Sequence, residues 1–278
     1  MTRFQNLLRW APLGLVSAIA CSSATAGALD DIHARGRLIV GVKTDYRPLG
    51  FLDENGRNAG VEVELARFIA GNVLGDSSKV EFVPVVFKNR VDYLLSGKID
   101  LILATMVTTP ERLKIVDASI PYLRPGGGTL LAPKAGPVTS WETTRGHNIC
   151  GIEASYFNPT LISRFGAKVT EYPDADQAYQ ALADGKCTGF AFDEILLRMK
   201  IRDPQWSAFA IVGEPLQMNG FQIGLRKGDE AFRATLDTLI LEAQAEGKMV
   251  QWEAKYGMDI DPWSLEQVQV ATKKLAGD

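Results

Sequence analysis

The stretch from residue 99 to residue 117 constrains the fold more than any other part of the chain. Apart from Asp100, it opens with an apolar, mostly branched run at residues 99–104, which is too short for a buried helix and typical of a strand covered on both faces. The pattern then changes at Thr108-Thr109-Pro110, where an N-cap hydroxyl and a proline at the first helical position predict a new helix. A strand that leads through a polar turn into a helix predicts an α/β protein.

Apolar runs of strand length alternate with amphipathic runs of helical length along most of the chain. Val61, Leu65, Phe68 and Ile69, for example, recur at the spacing of one helix face. Strands are predicted at residues 37–43, 80–85, 99–104, 129–132, 148–152, 167–172, 188–192 and 221–226. Helices are predicted at residues 29–35, 61–70, 88–95, 158–165, 175–183, 194–201, 229–246 and 248–256. This alternation predicts parallel sheets covered by helices, and its interruption near residues 125–128 predicts two α/β units.

The composition is that of an ordinary globular protein. The chain has 278 residues, of which 46% are hydrophobic and 23% are charged, and its formal net charge is −3. This length allows one large domain or two modest ones. Because Lys and Arg are scattered along the chain and the net charge is negative, no nucleic-acid partner is expected.

The first 26 residues are predicted to be a signal peptide outside the fold. Arg3 and Arg9 precede an apolar run at residues 11–20 that is too short to span a membrane permanently. The small-x-small pattern that ends at Ala26 predicts cleavage there. The alternative is lipidation at Cys21, although the preceding residues lack the leucine of a lipobox. Both routes predict export, and the periplasm is the expected location.

Export changes the meaning of the cysteines. After cleavage at Ala26, the cysteines that remain are Cys150 and Cys187. An oxidising compartment favours a disulfide between them, and both lie beside predicted strands of one sheet. Two separate buried thiols are the alternative. A zinc site needs about four ligands, and the chain offers only two histidines besides these cysteines, so we expect no metal and no cofactor.

Polar side chains follow the central strand at the point where it ends. In open α/β sheets, ligands bind beyond the carboxyl ends of the strands, and Thr105, Thr108, Thr109 and Arg112 lie there. The guanidinium of Arg112 is a planar fork that matches a carboxylate. The local pattern alone leaves open a pairing of Arg112 with a neighbouring acid on an exposed helix face. No G-x-S-x-G, P-loop or H-E-x-x-H motif supports catalysis.

The same stretch resembles a known family. Together with residues 41–48 (Gly-Val-Lys-Thr-Asp-Tyr-Arg-Pro), residues 80–85, Arg90 and residues 96–100 (Ser-Gly-Lys-Ile-Asp), it is similar to the polar amino-acid-binding proteins of bacterial ABC importers. The resemblance covers about residues 29 to 258, and the separated motifs occur in the order and approximate spacing of the family. In motifs the chain most resembles the aspartate- and glutamate-binding members.

The resemblance implies a type II periplasmic-binding-protein fold, in which two lobes are joined by a two-segment hinge. Each lobe is expected to contain a mostly parallel sheet flanked by helices. The first lobe would be discontinuous, at residues 28–128 and 218–260, and the second would occupy residues 129–217. Residues 261–278 are expected to form a polar, loosely ordered tail.

The resemblance also implies a set of site residues. In this family an arginine equivalent to Arg112 binds the α-carboxylate of the ligand, and an aspartate after a strand of the second lobe, here Asp193, binds the α-ammonium. Without the resemblance, Asp193 would be interpreted as a helix N-cap, and Tyr46 and Phe87 as core residues. Further contacts are expected from Lys43, Asp45, Tyr46, Phe87, Arg90 and Thr105.

Two departures from the family pattern affect the expected site. Val107 stands where the family often has a hydroxyl residue, whose role Thr108 or Thr109 would have to take over. In the second lobe, the bulky sequence at residues 155–157 replaces a small glycine-serine-threonine turn. The residues concerned are Ser155, Tyr156 and Phe157. Their rings are expected to reshape the pocket, which leaves the identity of the ligand open.

These features predict a substrate-binding protein that captures an amino acid by hinge closure and delivers it to a membrane permease. Lys43, Arg90 and Arg112 place three cations at one small site, which favours glutamate or aspartate. Glutamine or another polar amino acid is the alternative ligand, and a sensor is the alternative partner. A remote alternative is an enzyme similar to cyclohexadienyl dehydratases, which would need a buried general acid in the cleft. The protein is expected to be a monomer.

Overall fold

The computed structural model describes residues 27–124, 126–216 and 219–277. The predicted signal peptide, its cleavage site and Cys21 lie outside these residues. The helices are α1 (Ala28–Arg35), α2 (Val61–Leu74), α3 (Arg90–Leu95), α4 (Asn158–Ser163), α5 (Ala175–Ala183), α6 (Glu194–Lys200), α7 (Glu230–Ala245), α8 (Lys248–Lys255) and α9 (Pro262–Ala276). The strands are β1 (Leu38–Val42), β2 (Asp45–Tyr46), β3 (Gly50–Leu52), β4 (Asn58–Ala59), β5 (Val80–Pro84), β6 (Leu101–Leu103), β7 (Val116–Leu123), β8 (Gly128–Pro133), β9 (Asn148–Ile152), β10 (Lys168–Tyr172), β11 (Gly189–Asp193), β12 (Phe209–Leu216) and β13 (Phe221–Arg226).

The first sheet forms the centre of one lobe and has the strand order β5-β1-β6-β13-β7. Strand β1 pairs in parallel with β5 and β6, and Val40 lies opposite Leu101. The side chains of β6 are fully buried, as expected for a strand covered on both faces. The short strands β2, β3 and β4 form a separate small sheet after β1.

The second sheet forms the centre of the other lobe and repeats the arrangement, with the order β10-β9-β11-β8-β12. Strand β9 pairs in parallel with β10 and β11. The predicted disulfide is confirmed: Cys150 in β9 is bonded to Cys187, which lies just before β11, and their Cα atoms are 5.6 Å apart. The bond therefore joins two neighbouring segments of this sheet.

The predicted α/β class, the two lobes and the mostly parallel sheets are confirmed, and each sheet contains one strand that runs against the others. In the first sheet, β13 runs antiparallel to both β6 and β7. In the second sheet, β8 runs antiparallel to β11 and β12. Each sheet is therefore mixed, because the strand that follows each lobe crossing, β8 or β13, runs opposite to the other four strands of its sheet.

The prediction of a helix that begins at Pro110 is wrong. The chain forms only a 3₁₀ turn at Arg112–Lys114 before it enters strand β7. Since β7 carries buried residues such as Val116 and Tyr122 into the first sheet, too few residues remain for an α-helix. The local cap and proline signals were correct for a turn but were overridden by the sheet.

The polar tail is ordered, contrary to the prediction. Residues 262–276 form helix α9, whose N-cap Asp261 accepts a hydrogen bond of 2.8 Å from the amide of Trp263. The helix packs along α7 of the first lobe, and it buries Ser264 and Ala271. The apolar residues of α9 are spaced too sparsely to form a clear stripe in the sequence, so the packing face becomes evident only from its contact with α7.

Within the described ranges, no helix is long and apolar enough to cross a membrane. The same residues contain no group of three or more His, Cys, Asp or Glu side chains arranged to hold a metal ion.

Reduction of the Cys150–Cys187 bond should lower the free energy of unfolding. The bond spans 37 residues, and the chain-entropy relation gives about 3 to 4 kcal/mol for a loop of that length. Urea unfolding with and without a thiol reductant measures the difference. The Cys150→Ala/Cys187→Ala variant should unfold at the lower urea concentration under both conditions, and equal midpoints for oxidised and reduced wild type would contradict the expectation.

Candidate ligand-binding site

A cleft between the two lobes brings together the strand ends of both sheets. Several contacts between described residues connect its walls. Lys88 Nζ lies 3.1 Å from Glu153 Oε2, and the Ala175 amide donates a hydrogen bond of 3.4 Å to Asp45 Oδ2. Arg112 Nη2 donates one of 3.3 Å to the Ala154 carbonyl, and the rings of Tyr46 and Phe192 have centroids 5.1 Å apart. The lobes therefore touch along the cleft, and side chains at its base are shielded from solvent.

Arg112 lies in the wall formed by the first lobe. Its Nη1 donates a hydrogen bond of 2.7 Å to the Val107 carbonyl, and its backbone amide donates one of 3.2 Å to Thr109 Oγ1. Burial lowers the pKa of Arg112, while Tyr156 and Asp193 oppose this effect. Arg112 makes no salt bridge with any described residue, so the pairing with a neighbouring acid that the local pattern allowed does not occur.

Thr105 occupies the turn directly after β6. Its backbone is in the left-handed region, with a φ of 49°, a conformation that strains a β-branched residue. The Thr105 amide donates a hydrogen bond of 2.7 Å to Glu62 Oε1, and the Tyr122 hydroxyl donates to the same oxygen. Glu62 therefore fixes the turn that presents Thr105 to the cleft.

Arg90 is a buried cation in the same wall, with only 2% of its surface exposed. Its Nη1 donates to the Ala104 carbonyl, and its guanidinium lies 4.4 Å from the centroid of the Phe87 ring. Burial lowers the pKa of Arg90 to about 9, and the positive charge of Arg112 adds to this. Phe87 therefore serves as a platform for Arg90 as well as a core side chain.

Lys43 is also buried, but it has a counter-charge. Its Nζ lies 3.0 Å from Asp45 Oδ1 and 4.2 Å from the centroid of the Tyr46 ring. Burial lowers the pKa of Lys43, and Asp45 opposes this effect. Tyr46 packs edge-on against Phe87 in its own lobe and against Phe192 in the other lobe. The structure thus places a neutralised ion pair, rather than a free cation, beside the cleft.

Asp193 ends strand β11 in the second lobe and is 2% exposed. It precedes helix α6, yet its side chain makes no capping hydrogen bond. Burial raises the pKa of Asp193 to about 7, against the attraction of Arg90. Tyr156 lies close enough to Asp193 for each to affect the pKa of the other. The side chain therefore does not cap helix α6, and its Oδ1 is buried without a hydrogen-bond partner among the described residues.

The residues at 155–157 form the opposite wall. Ser155 Oγ accepts a hydrogen bond of 3.4 Å from the Phe157 amide. The rings of Tyr156 and Phe157 have centroids 3.9 Å apart. Phe157 also fills the space above Gly128, where an added Cβ would lie 2.3 Å from a ring carbon. The rings of Tyr156 and Phe157 thus fill this part of the wall.

The hydroxyls predicted to replace the one missing at Val107 point elsewhere. Thr108 Oγ1 donates a hydrogen bond of 2.7 Å to Gln222 Oε1, and Thr109 Oγ1 accepts from the amide of Arg112. Val107 itself is fully buried and contributes its carbonyl to Arg112. Of the three threonine hydroxyls, that of Thr105 is the one without a hydrogen-bond partner among the described residues.

Unpartnered polar atoms concentrate at this cleft. Among the described residues, those that are buried there and have no hydrogen-bond partner are Tyr46 Oη, Glu62 Oε2, Thr105 Oγ1, Tyr156 Oη and Asp193 Oδ1. A buried polar group without a partner costs roughly 1 to 3 kcal/mol. The arrangement therefore suits a small ligand that brings both donors and acceptors.

One further opening shares Asp45 and Tyr46 with the candidate site, and another lies away from it. A cavity of about 330 Å³ between the lobes adjoins the Tyr46–Phe192 contact and is lined by Asp176, Tyr179 and Lys200 among others. A groove of about 930 Å³ follows strand β12 on the second lobe, and none of the predicted site residues lines it. The chemistry of the cleft, rather than the size of an opening, therefore identifies the candidate site.

Sequence reasoning missed Glu62 and Tyr122. Glu62 is fully buried and lies on the stripe of helix α2 that also contains Ala66 and Ile69. An acid in phase with an apolar helical stripe was the available signal. Tyr122 gave no such signal, because β7 itself was not predicted.

Residues 38–259 match the family described as bacterial extracellular solute-binding proteins, family 3. The chain belongs to this family. It is 27% identical over 232 residues to a glutamine-binding protein of an ABC transporter from Bacillus subtilis, an alignment that covers 82% of this chain and 84% of that protein. It is 26% identical to an L-cystine-binding protein of Escherichia coli, covering 92% and 96%. A glutamate/aspartate import solute-binding protein of Salmonella typhimurium is 24% identical, covering 87% and 83%.

Solved structures of similar proteins share the fold of this family 3 protein. A cysteine-binding protein from Campylobacter jejuni aligns with a TM-score of 0.79 and 28% identity, covering 84% of this chain and 93% of that one. An ancestral amino acid-binding protein, a precursor of cyclohexadienyl dehydratase, aligns with a TM-score of 0.73 and 26% identity, covering 83% and 99%. The type II periplasmic-binding-protein fold predicted for this family 3 protein is thereby confirmed.

Asp193→Asn should stabilise the ligand-free family 3 protein at about pH 8. The folded state raises the pKa of this carboxyl from 3.8 to about 7, so the folded state binds the proton more tightly than the unfolded state does. Its contribution is present below the unfolded pKa and is lost as the pH rises from about 4 to about 7, by at most about 4 kcal/mol. Urea unfolding across this range measures it. Parallel pH profiles for wild type and Asp193→Asn would contradict the assignment.

Proposed function

We propose that this protein captures a free amino acid between its lobes and delivers it to the membrane permease of an ABC importer. The observation that carries the proposal is the opposition of Arg112 in the first lobe to Asp193 in the second. Each influences the pKa of the other across the cleft, and neither makes a salt bridge with a described residue. One cationic and one anionic group at fixed separation match the two charges of a zwitterion.

The α-carboxylate is assigned to Arg112 and Thr105. The planar fork of Arg112 is oriented by the Val107 carbonyl, so it is ready for a two-point contact with a carboxylate. The unpartnered Thr105 hydroxyl can donate to the same group. The α-ammonium is assigned to Asp193, whose ionised form it would stabilise.

The charge balance of the cleft favours a polar, neutral side chain on the ligand. The sequence prediction of an acidic ligand rested on three cations, but Asp45 lies 3.0 Å from Lys43. Glu62 attracts Arg90, and each shifts the pKa of the other. With Arg112 and Asp193 matched by the zwitterion, no cation is left in excess. Similar proteins named for binding glutamine, cystine and cysteine support this ligand class, whereas others are named for arginine or for glutamate and aspartate.

Glutamate or aspartate is the second candidate, and Arg90 supports it. This guanidinium is 2% exposed and forms no salt bridge within the described part of the chain. A side-chain carboxylate of the ligand would supply that missing partner. The similarity to a glutamate/aspartate import protein supports the same candidate.

Delivery requires that only the occupied protein adopts the form a permease recognises. The proposed lobes, residues 28–128 with 218–260 and residues 129–217, would rotate about their two crossings. Because Arg112 and Asp193 belong to different lobes, a zwitterion can contact both only when the lobes meet. Ligand binding then shifts the population towards the closed form. Export to the periplasm and action as a monomer are part of this proposal.

A dehydratase activity is a second class of function, and one observation favours it. Asp193 and Glu62 are buried carboxyl groups whose pKa values are raised by burial, and a general acid needs such a property. Incubation with prephenate and arogenate tests it directly. Turnover that is lost in Asp193→Asn would establish an enzyme, and its absence leaves the binding proposal.

Arg112→Ala should abolish most of the affinity for the ligand while the protein still folds. Loss of the counter-charge in a shielded cleft is expected to cost about 2 to 5 kcal/mol of binding free energy. Isothermal calorimetry on the folded variant measures this, with Lys114→Ala as a matched control because Lys114 is an exposed cation on the same 3₁₀ turn as Arg112. Affinity within about twofold of wild type would remove Arg112 from the site.

A thermal-shift screen of the common amino acids, followed by calorimetry with glutamine and glutamate, tests the ligand class. A ligand at about 100 times its dissociation constant should stabilise the protein by about 2.7 kcal/mol. Tighter binding of the neutral amino acid is expected. Preference for glutamate that Lys43→Gln and Arg90→Gln both reduce would instead establish the acidic ligand, and no stabilisation by any amino acid would overturn the proposed function.

A further inference from the structure

Glu62 lies directly beneath the candidate site and is completely buried. It is the second residue of helix α2, so its carboxylate is held by a rigid element. Oε1 accepts hydrogen bonds from the Thr105 amide, at 2.7 Å, and from the Tyr122 hydroxyl. Oε2 has no hydrogen-bond partner among the described residues, and it lies 3.4 Å from where a Cβ on Gly50 would stand.

The charges around Glu62 are those of the cleft. Arg90 on α3 and Lys43, just after β1, attract it, and it repels Asp193 on β11. Lys43 already has Asp45 at 3.0 Å. Arg90 has no salt-bridge partner in the described ranges, so Glu62 and Asp193 are the carboxylates that act on its charge. Since Asp193 is assigned to the ligand ammonium, Glu62 is left as the counter-charge of Arg90.

We propose that Glu62 is a positioning residue that determines whether the site accepts an amide or an acid on the ligand side chain. Its carboxylate holds the strained Thr105 turn and compensates Arg90, so no positive charge remains for a second ligand carboxylate. This inference rests on the proposed function, because it concerns the ligand that Arg112 and Asp193 bind. It adds to that function a preference between an amide and an acid on the side chain of the ligand.

A merely structural role for Glu62 makes a different prediction. If Glu62 only braced the Thr105 turn, its replacement would weaken the binding of glutamine and glutamate by the same factor. If it compensates Arg90, neutralising it must help glutamate relative to glutamine, because the charge of Arg90 becomes available to the extra carboxylate. The ratio of the two dissociation constants therefore separates the roles, whatever the absolute affinities are.

Glu62→Gln is the decisive variant, since it removes the charge and keeps an oxygen that can accept from Thr105 and Tyr122. Calorimetry at about pH 8 should show the preference for glutamine over glutamate falling by about tenfold or more. Glu64→Gln is the matched control. It makes the same change two residues along α2, where Glu64 instead accepts from Lys255 and Tyr256, and its ratio should stay within about twofold of wild type.

A second neutral variant allows the same test if Glu62→Gln does not fold. Glu62→Met removes the charge without adding a donor, and either folded neutral variant, checked by circular dichroism and thermal unfolding, should shift the ratio. An unchanged ratio overturns the inference alone, whereas wild type that binds no amino acid overturns the proposed function with it.

Discussion

The compensation of buried charge is the constraint on which the cleft depends. Lys43, Arg90 and Asp193 are each at most 3% exposed, and an isolated charge at such a depth is strongly disfavoured unless it is paired or hydrogen-bonded. Asp45 supplies this for Lys43 at 3.0 Å. The Ala104 carbonyl and the Phe87 ring supply part of it for Arg90. Asp193 is the exception, and the rise of its pKa to about 7 reflects the free-energy cost of burying its negative charge.

The two sheets explain why these charges meet. In each sheet three parallel strands lie side by side, followed by one reversed strand and then an edge strand that again runs with the first three. The carboxyl ends of β1 and β6 in one lobe therefore face the ends of β9 and β11 in the other. Arg112, Thr105 and Asp193 follow such ends, although they are far apart in the sequence. A mixed sheet positions them as well as a wholly parallel one would, because the central strands remain parallel.

Much of the fold was predictable because the responsible signals are local. Short apolar runs gave β6 and β11, and amphipathic spacing gave helix α5 at its observed bounds. The pairing direction of β13 was not predictable in this way, since an apolar strand has the same pattern in either direction. The brief 3₁₀ turn at Arg112–Lys114 was missed because the competing demand came from β7.

The candidate site was predictable to a similar extent and for the same reason. Arg112 and Asp193 stand in motifs that a single sequence displays, and the disulfide followed from a count of cysteines. The pairing of Lys43 with Asp45 changes the expected ligand class, because it neutralises one of the three cations. This pairing depends on the directions of the two side chains, which the sequence at the end of a strand does not show. Glu62 carried a signal, an acid in phase with an apolar stripe, but its partners Thr105 and Tyr122 are distant in sequence.

Helix α9 shows that the boundaries of a family and of a folded unit need not coincide. The family match ends at residue 259, yet Asp261 Oδ2 lies 3.1 Å from Arg124, which also contacts Glu194 beside the lobe crossing. Ser264 Oγ donates a hydrogen bond of 2.7 Å to the buried Glu253. A chain shortened to the family boundary would expose the α7 surface that α9 covers, and Glu253 would lose this donor. Expression and evolutionary comparison of this protein therefore need the residues to at least 276, although no family feature lies there.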